Sequence, residues 1–186
     1  ANGRIEAIGS ATDLAPPADA EVVDARGKVV TPGLIDTHSH MGVYAVPDVV
    51  ATSDGNEMTD PTTPYVFSEH AFWPQDPALE RAVQGGVTTI QVLPGSGNII
   101  GGRAVTLSLL PRLEARVMRF PGAPFGLKMA CCENPKRVYG QEKKTQPMSR
   151  MGNVSRMRQE FTKAKEYAWD RRAFRRDYDA WKKKYD

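Results

Sequence analysis

Residues 29–40 read VVTPGLIDTHSH, an apolar and β-branched run that ends in two histidines one residue apart. Residues i and i+2 of a β-strand point to the same side of the strand. The side chains of His38 and His40 can therefore hold one cation between them. Neutral imidazole is a common ligand of zinc and of similar divalent metals. A bare His-x-His is equally typical of a surface or core pair, so the interpretation depends on the residues that precede it.

Those preceding residues resemble the metal-dependent amidohydrolase superfamily. Its members read as an apolar strand, Pro-Gly-Leu-Ile-Asp, and then His-x-His at the end of the first barrel strand. The resemblance implies that His38 and His40 bind a divalent metal, most simply one or two zinc ions. It also implies an α/β fold, a partial (β/α)8 TIM-like barrel preceded by part of a small β-sandwich domain. We place residues 1–31 in the β-sandwich and residues 32–186 in the N-terminal half of the barrel.

Hydrophobic patterning predicts the elements of both domains. Short strands are expected over residues 4–9 and 21–30, with a hairpin turn at 24–28. Helix signals begin at Asp76-Pro77 and end at Gly85-Gly86. The barrel is expected to contain about four βα units, with strands at 34–38, 87–93, 104–110 and 126–130. Helical periodicity from residue 149 to the end predicts one long helix or two consecutive ones. We expect the apolar and aromatic stripe of that helix to pack against the barrel.

Two irregular segments lie where the loops of a βα-barrel form the active-site face. Residues 41–76 show no periodicity, and a loop of that length is uncommon unless it is functional or disordered. His70 lies in it and is a candidate substrate-binding residue, although a partly buried loop histidine is the simpler interpretation. Residues 94–102 are rich in glycine but match no phosphate-binding motif. We interpret them as a tight active-site loop.

The segment from Lys128 to Gly140, KMACCENPKRVYG, is similar to imidazolonepropionase-like and prolidase-like amidohydrolases. The resemblance implies that Lys128 is the lysine that carries CO2 and bridges two metals in some members. A lysine that ends an apolar segment can also be a snorkelling or ion-paired side chain. Glu133 and Arg137 would lie near the barrel mouth, where they could bind a charged substrate or form a structural salt bridge.

Glycine usually occupies the position of Cys132 in that subgroup, which puts the local loop geometry in question because glycine permits positive φ. Cys131 and Cys132 are adjacent, and neighbouring cysteines rarely close a disulfide. We interpret them as two thiols in or beside a strand, without a redox or metal role. Asp36 is too early in the chain to be the proton-shuttling acid of the family, but it could orient a ligand histidine.

Length and composition limit what this chain can do alone. A complete barrel usually needs about 250 residues, whereas this chain has 186 and only 3 histidines. We therefore expect an inactive fragment that needs a C-terminal half or a complementary chain. No apolar run approaches a membrane span, so we expect a soluble protein, cytoplasmic or periplasmic after signal removal, that binds no membrane.

The inferred parent enzyme would use metal-activated water to hydrolyse a C–N bond in a small molecule: a cyclic amide, an N-acyl amino acid or a dipeptide. A non-catalytic scaffold half that binds the complementary polypeptide is the alternative. Residues 150–186 carry 12 Lys and Arg against 6 Asp and Glu. Because the acids are interspersed, a solvated helix face explains this charge better than nucleic-acid binding.

Overall fold

The computed structural model describes residues 4–10 and 12–185 and divides the chain into two units, Ala1–Pro32 and Gly33–Asp186. The described part of the first unit contains turns but no strand. The predicted turn at residues 24–28 is confirmed: the Lys28 amide donates to the Ala25 carbonyl oxygen at 3.0 Å, and Gly27 has φ +74°.

The strands predicted at 4–9 and 21–30 are wrong. The apolar side chains of this segment are exposed, with Val29 at 88%. A β-branched sequence becomes a strand only where a neighbouring strand pairs its backbone and a packed face covers its side chains. Neither is present among the described residues of this unit. The assignment of residues 1–31 to a β-sandwich stays a prediction.

The second unit is a mixed α/β fold built on one four-stranded sheet. Its strands are β1 (Leu34–Ser39), β2 (Val87–Val92), β3 (Ile100–Ser108) and β4 (Gly126–Met129), in the order β1-β2-β3-β4. Strand β1 is parallel to β2, but β3 is antiparallel to both β2 and β4. Each of the four predicted strands has a counterpart in this sheet, although β3 covers Ile100–Ser108 and not the predicted 104–110. Strands β1, β2 and β4 run in one direction.

The expectation of four successive βα units is wrong at β3. A parallel neighbour needs a crossover of a dozen or more residues, usually a helix, whereas an antiparallel one can follow a short loop. Only residues 93–99 separate β2 from β3, so the chain reverses before it can cross over. The glycine-rich loop is the site of this reversal.

The short helices of the second unit are α1 (Ser68–Ala71), α2 (Pro77–Gln84), α3 (Ala115–Met118) and α4 (Glu133–Pro135). A 3-10 turn covers Val50–Thr52, and a π-helical segment, Lys136–Glu142, continues α4. The predicted limits of α2 are confirmed. The Asp76 side chain accepts a hydrogen bond from the Ala78 amide at 2.9 Å, and the helix ends at Gly85 and Gly86, the latter with φ +89°.

The core lies between the sheet and the short helices. Ten buried side chains form one cluster: Val43, Phe72, Leu79, Ile90, Val92, Val105, Leu107, Leu109, Ala115 and Met118. Burial of such side chains contributes about 1.5–3 kcal/mol each relative to exposure. The cluster fixes β2 and β3 against α2 and α3, and thereby positions the strand ends that carry the polar residues.

Helix α5 (Arg150–Tyr185) confirms the predicted helical periodicity over residues 150–185. Its aromatic stripe, however, is exposed and does not pack on the sheet, so that expectation is wrong. The rings stack along the helix instead, with centroids 6.2 Å apart for Phe174 and Tyr178 and 6.0 Å apart for Tyr178 and Trp181. Neighbours at i, i+3 and i+4 lie on one helix face and contact each other. No helix of the described chain is both long and apolar enough to cross a membrane.

Candidate metal centre

His38 and His40 lie at the carboxyl end of β1. Their ring centroids are 5.3 Å apart and the ring planes are perpendicular. The two imidazoles are thus neighbours on one side of the strand, as their spacing predicts. His38 is exposed, whereas His40 is partly buried and the ring of Tyr44 packs edge-on against it at 5.8 Å.

A single hydrogen bond fixes the chemistry of His40. Its Nδ1 lies 2.8 Å from the carbonyl oxygen of Leu93, the residue that follows β2. A carbonyl oxygen can only accept, so Nδ1 carries the proton and donates. In the neutral ring the lone pair then lies on Nε2. A carbonyl partner on the second ring nitrogen is the usual arrangement of a metal-binding histidine, because it fixes the tautomer and orients the ring.

Burial keeps His40 neutral. Desolvation lowers the pKa of His40, the Leu93 carbonyl partly opposes this effect, and the positive charges of Lys128 and His38 lower the pKa further. An imidazole must be unprotonated at the ligating nitrogen to bind a metal. His40 therefore retains a free Nε2 lone pair at neutral pH.

Asp36 supports the backbone and not an imidazole. Its Oδ1 accepts a hydrogen bond at 3.0 Å from the backbone amide of His38. The pairing of β1 with β2 shifts register between Asp36 and Ser39, opposite Ile90 and Val92. The expectation that Asp36 orients a ligand ring is therefore corrected: it holds the irregular strand end that places both rings.

Lys128 lies on β4, which is separated by β3 from β2, the nearer strand of the parallel pair β1 and β2. Its side chain is buried, and desolvation lowers its pKa. Because β4 runs in the same direction as β1, the two strands end at the same edge of the sheet. The positive charge of Lys128 also lowers the pKa of His40.

The described residues supply only part of a metal-ligand set. Over residues 4–10 and 12–185, no group of three or more His, Cys, Asp and Glu side chains converges. Two imidazoles with a free Nε2 on His40 fit the start of a zinc site, since zinc accepts nitrogen, sulfur and oxygen donors and takes four ligands in its structural sites. If this pair binds zinc, the remaining ligands would be supplied by Lys128 after carboxylation, by water or by another segment.

An amide network beside His40, buried only at Asn98, is not apparent in the sequence. The Tyr44 hydroxyl donates to Asn56 Oδ1 at 2.7 Å, and Asn56 Nδ2 donates to Asn98 Oδ1 at 3.1 Å. Asn98 is fully buried and donates to the carbonyl oxygens of Glu57 and Asp60. The network fixes the ring that packs on His40.

The only sequence signal for this network is glycine. A Cβ at Gly55 would lie 2.2 Å from the Tyr44 ring, and a Cβ at Gly95 would lie 2.2 Å from Asn56 Oδ1. Side chains cannot approach so closely, so both positions need glycine for the tyrosine and the amide to fit. The interpretation of residues 94–102 as a tight loop agrees with this packing.

The candidate substrate-binding residues do not share a cavity, since His70 lines cavities that Glu133 and Arg137 do not. His70, exposed on α1, lines a cavity of about 440 Å³ together with Asp54, Glu57 and Pro94. Glu133 and Arg137 line another, of about 380 Å³. Arg137 also forms an ion pair with Glu142 at 2.6 Å. The lining of the first cavity includes Pro94, the residue that follows Leu93 in the chain, whereas Glu133 and Arg137 follow β4.

Comparison with known proteins gives relatives over most of the chain. The chain is 39% identical over 157 residues to the amidohydrolase tasK of Hapsidospora irregularis, covering 80% of the chain and 16% of that protein. It is 30% identical over 133 residues to the imidazolonepropionase of Geobacillus kaustophilus (strain HTA426), covering 61% of the chain and 31% of the relative. No protein-family model matches the chain.

The crystal structure of an amidohydrolase from Thermotoga maritima MSB8 superposes with a TM-score of 0.82 at 43% identity. The match covers 92% of this chain and 43% of that one. The chain thus spans less than half of the length of each of these relatives.

Proposed function

Because the chain belongs to the amidohydrolase superfamily, we propose that it carries the first metal ligands of a hydrolase that cleaves a C–N bond. The observation that supports this proposal most directly is the His40 Nδ1 contact with the Leu93 carbonyl oxygen at 2.8 Å. It leaves Nε2 of a neutral imidazole available beside His38. In this proposal His38 and His40 occupy two coordination positions of a divalent metal, of which zinc is the simplest choice.

A divalent metal, when bound, supplies an activated water and polarises the scissile carbonyl group. The residues of this chain prepare the site for it. The Leu93 carbonyl orients His40, the Asp36 carboxylate holds the backbone of His38, and the Tyr44 ring limits water access to one side of His40. These contacts set the ligand positions before the metal arrives, which lowers the entropic cost of binding.

Lys128 is proposed as the bridging carbamate. Carbamate formation needs an unprotonated amine that attacks CO2, and burial lowers the pKa of Lys128 toward that state. A protonated lysine would repel a divalent cation, so carboxylation and metal binding should occur together. The common direction of β1 and β4 supports this role, because it brings Lys128 to the edge that carries the histidines.

The substrate is proposed to be a small cyclic amide, an N-acyl amino acid or a dipeptide. The cavity of about 440 Å³ that His70 lines is within the usual size of small-molecule sites, and it adjoins the loop that follows β2. His70 is the substrate-binding candidate that this location supports. Glu133 and Arg137 would act on a substrate only if it extended across the end of β4.

A complementary segment is the proposed partner, and it would turn this chain from a scaffold into an enzyme. Strand β1 exposes apolar side chains, Leu34 at 56% and Ile35 at 63%, and the edges of β1 and β4 are unpaired within the described sheet. Exposed strand edges and apolar patches favour association. These features support the alternative of a non-catalytic scaffold half, which we expect to be the state of the 186-residue chain alone.

Metal titration tests the histidine assignment. The 186-residue chain should bind Co²⁺, an optical substitute for zinc, and His38→Asn and His40→Asn should each lower the affinity at least tenfold. His70→Asn is the matched control, since it removes a histidine from the adjacent cavity and should leave the affinity unchanged. Equal affinities in all four proteins would refute the site.

The Lys128→Ala variant then distinguishes a site with one metal ion from a site with two. In the chain combined with its complementary segment, this variant should lose binuclear loading measured by elemental analysis, with partial recovery in acetate. Unchanged metal content would refute the carbamate and leave His38 and His40 as the ligands supported here.

A further inference from the structure

Cys131 and Cys132 follow β4 in an unusual backbone conformation. Cys132 has φ +74° and ψ −105°, a region that residues with a Cβ rarely occupy and that costs about 1–3 kcal/mol. Its amide donates at 3.3 Å to Oδ1 of Asn153, which is fully buried at the start of α5. Such strain persists where the surroundings hold it and is concentrated at functional sites.

The two thiols are accessible and belong to adjacent residues, whose Cα atoms are about 3.8 Å apart. Neither cysteine forms a disulfide; Cys131 is exposed and Cys132 is partly exposed. The Cys132 side chain interacts with the Cys131 thiol and raises the pKa of Cys131. At neutral pH Cys131 is therefore a protonated thiol beside a second sulfur atom.

The charge around Cys132 favours some ligands of the two sulfur atoms over others. Cys132 lines the cavity of about 380 Å³, whose lining includes the cations Lys136, Arg137 and Arg150 and the carboxylate Glu133. Arg137 is paired with Glu142, so two other cationic side chains in the lining stand against one carboxylate. An excess of positive charge repels a soft divalent cation such as Cd²⁺. It has little effect on arsenous acid or an organic arsenical, which are neutral near pH 7.

We propose that Cys131 and Cys132 form a dithiol site for trivalent arsenic. Two sulfur atoms do not complete the coordination of zinc, which takes four ligands in structural sites, but they satisfy an arsenical that already carries one organic or hydroxyl substituent. The site is separate from the histidine pair and does not depend on the proposed hydrolase activity. It departs from the interpretation of these cysteines as thiols without a metal or redox role, which stays a prediction.

The reaction is a condensation and needs no oxidant. With phenylarsine oxide, each sulfur forms a bond to arsenic, the arsenic–oxygen double bond is lost, and the oxygen leaves as water with the two thiol protons. Arsenic remains trivalent. An intramolecular disulfide is disfavoured, since the two Cα atoms of adjacent residues are too close for relaxed geometry.

Intact-mass spectrometry of the 186-residue chain with phenylarsine oxide tests the site. One equivalent should add the mass of the reagent less one water, and thiol titration with a chromogenic disulfide should fall from two groups to none. Excess monothiol should leave the adduct in place, whereas a small dithiol should remove it. Failure of the native chain to form a one-to-one adduct, or its removal by monothiol, would overturn the proposal.

The single-cysteine variants provide the matched comparison. Cys131→Ser at the exposed position and Cys132→Ser should each lose the monothiol-resistant adduct. Circular dichroism should confirm that both retain α5. A resistant adduct in either folded variant would show that the two sulfurs do not act together and would contradict the site. If Cys132→Ser does not fold, Cys131→Ser alone decides the outcome.

Discussion

Asp76 joins the segment after the histidine pair to helix α2, and its removal should be costly. Its side chain is 3% exposed. Besides capping α2, it accepts hydrogen bonds from the backbone amides of Gly42 at 2.8 Å and Val46 at 3.2 Å. The Gly42 amide belongs to the turn that begins at His40, and Val46 follows two residues after the end of that turn at Tyr44. Asp76→Ala therefore leaves three backbone donors without their acceptor.

The magnitude follows from what each donor loses. The helix cap contributes about 1 kcal/mol, and the buried Gly42 amide costs about 1–3 kcal/mol when unpaired. Val46 is half-exposed, so water replaces much of its bond. The sum is a loss of about 3 kcal/mol. Asp76→Asn keeps the bonds to Oδ1 but directs an amide donor at the Gly42 amide, and should cost about half as much.

Urea denaturation followed by tryptophan fluorescence gives the free energies of unfolding. Hydrogen exchange at the Gly42 amide supplies a local measurement, and its protection should fall in both variants. Asp48→Ala is the control, because Asp48 is an exposed carboxylate in the same segment. The reasoning is refuted if Asp76→Ala destabilises no more than Asp48→Ala, or if Asp76→Asn leaves Gly42 as protected as in the native chain.

Three further changes test other contacts. Cys132→Gly should raise the free energy of unfolding by about 1 kcal/mol, because the relieved backbone strain exceeds the cost of the greater conformational entropy of glycine in the unfolded chain. A lower melting temperature in this variant would contradict the strain. Tyr139→Phe should cost about 1 kcal/mol at pH 7, where its hydroxyl donates to the Asp60 carbonyl. Burial raises the pKa of Tyr139 from 10.0 to about 12. Between pH 10 and 12 the tyrosine ionises in the unfolded chain first, so the stability of the native protein should fall and its advantage over Tyr139→Phe should narrow. A difference in melting temperature between the two proteins that stays constant over this pH range would count against the prediction. Arg119→Met should lower the free energy of unfolding by about 2 kcal/mol, because it leaves the buried Glu69 carboxylate without its bidentate partner. Adding Glu69→Gln to that variant should restore part of the loss in urea denaturation. If the double variant recovers no stability, the unpaired charge is not the cause.

The sequence predicts those parts of the molecule that local chemistry determines. The His38 and His40 spacing predicts two rings on one side of a strand, and the Asp76-Pro77 pair predicts the start of α2. Cys132 is another example, because the resemblance to a family with glycine at that position draws attention to φ, and φ is positive. In each case the deciding interaction lies within a few residues.

The sequence predictions fail where a partner distant in sequence decides the structure. The valines of residues 21–30 have strand propensity but no neighbouring strand in the described unit. Strand β3 carries a suitable pattern, but pattern does not give direction, which depends on the length of the preceding loop. The Tyr44–Asn56–Asn98 network joins residues up to 54 positions apart, and single-sequence periodicity contains no information about such pairs.

The reversed strand β3 also determines the order in which the sheet can assemble. Strands β2, β3 and β4 are joined by residues 93–99 and 109–125, whereas β1 meets β2 only after the long connection of residues 40–86. Closing a longer loop costs more entropy and is slower. We expect β2–β3–β4 to form first as a meander and β1 to dock last. The histidine pair would then reach its final position at the end of folding, when the Leu93 carbonyl is already in place to receive His40.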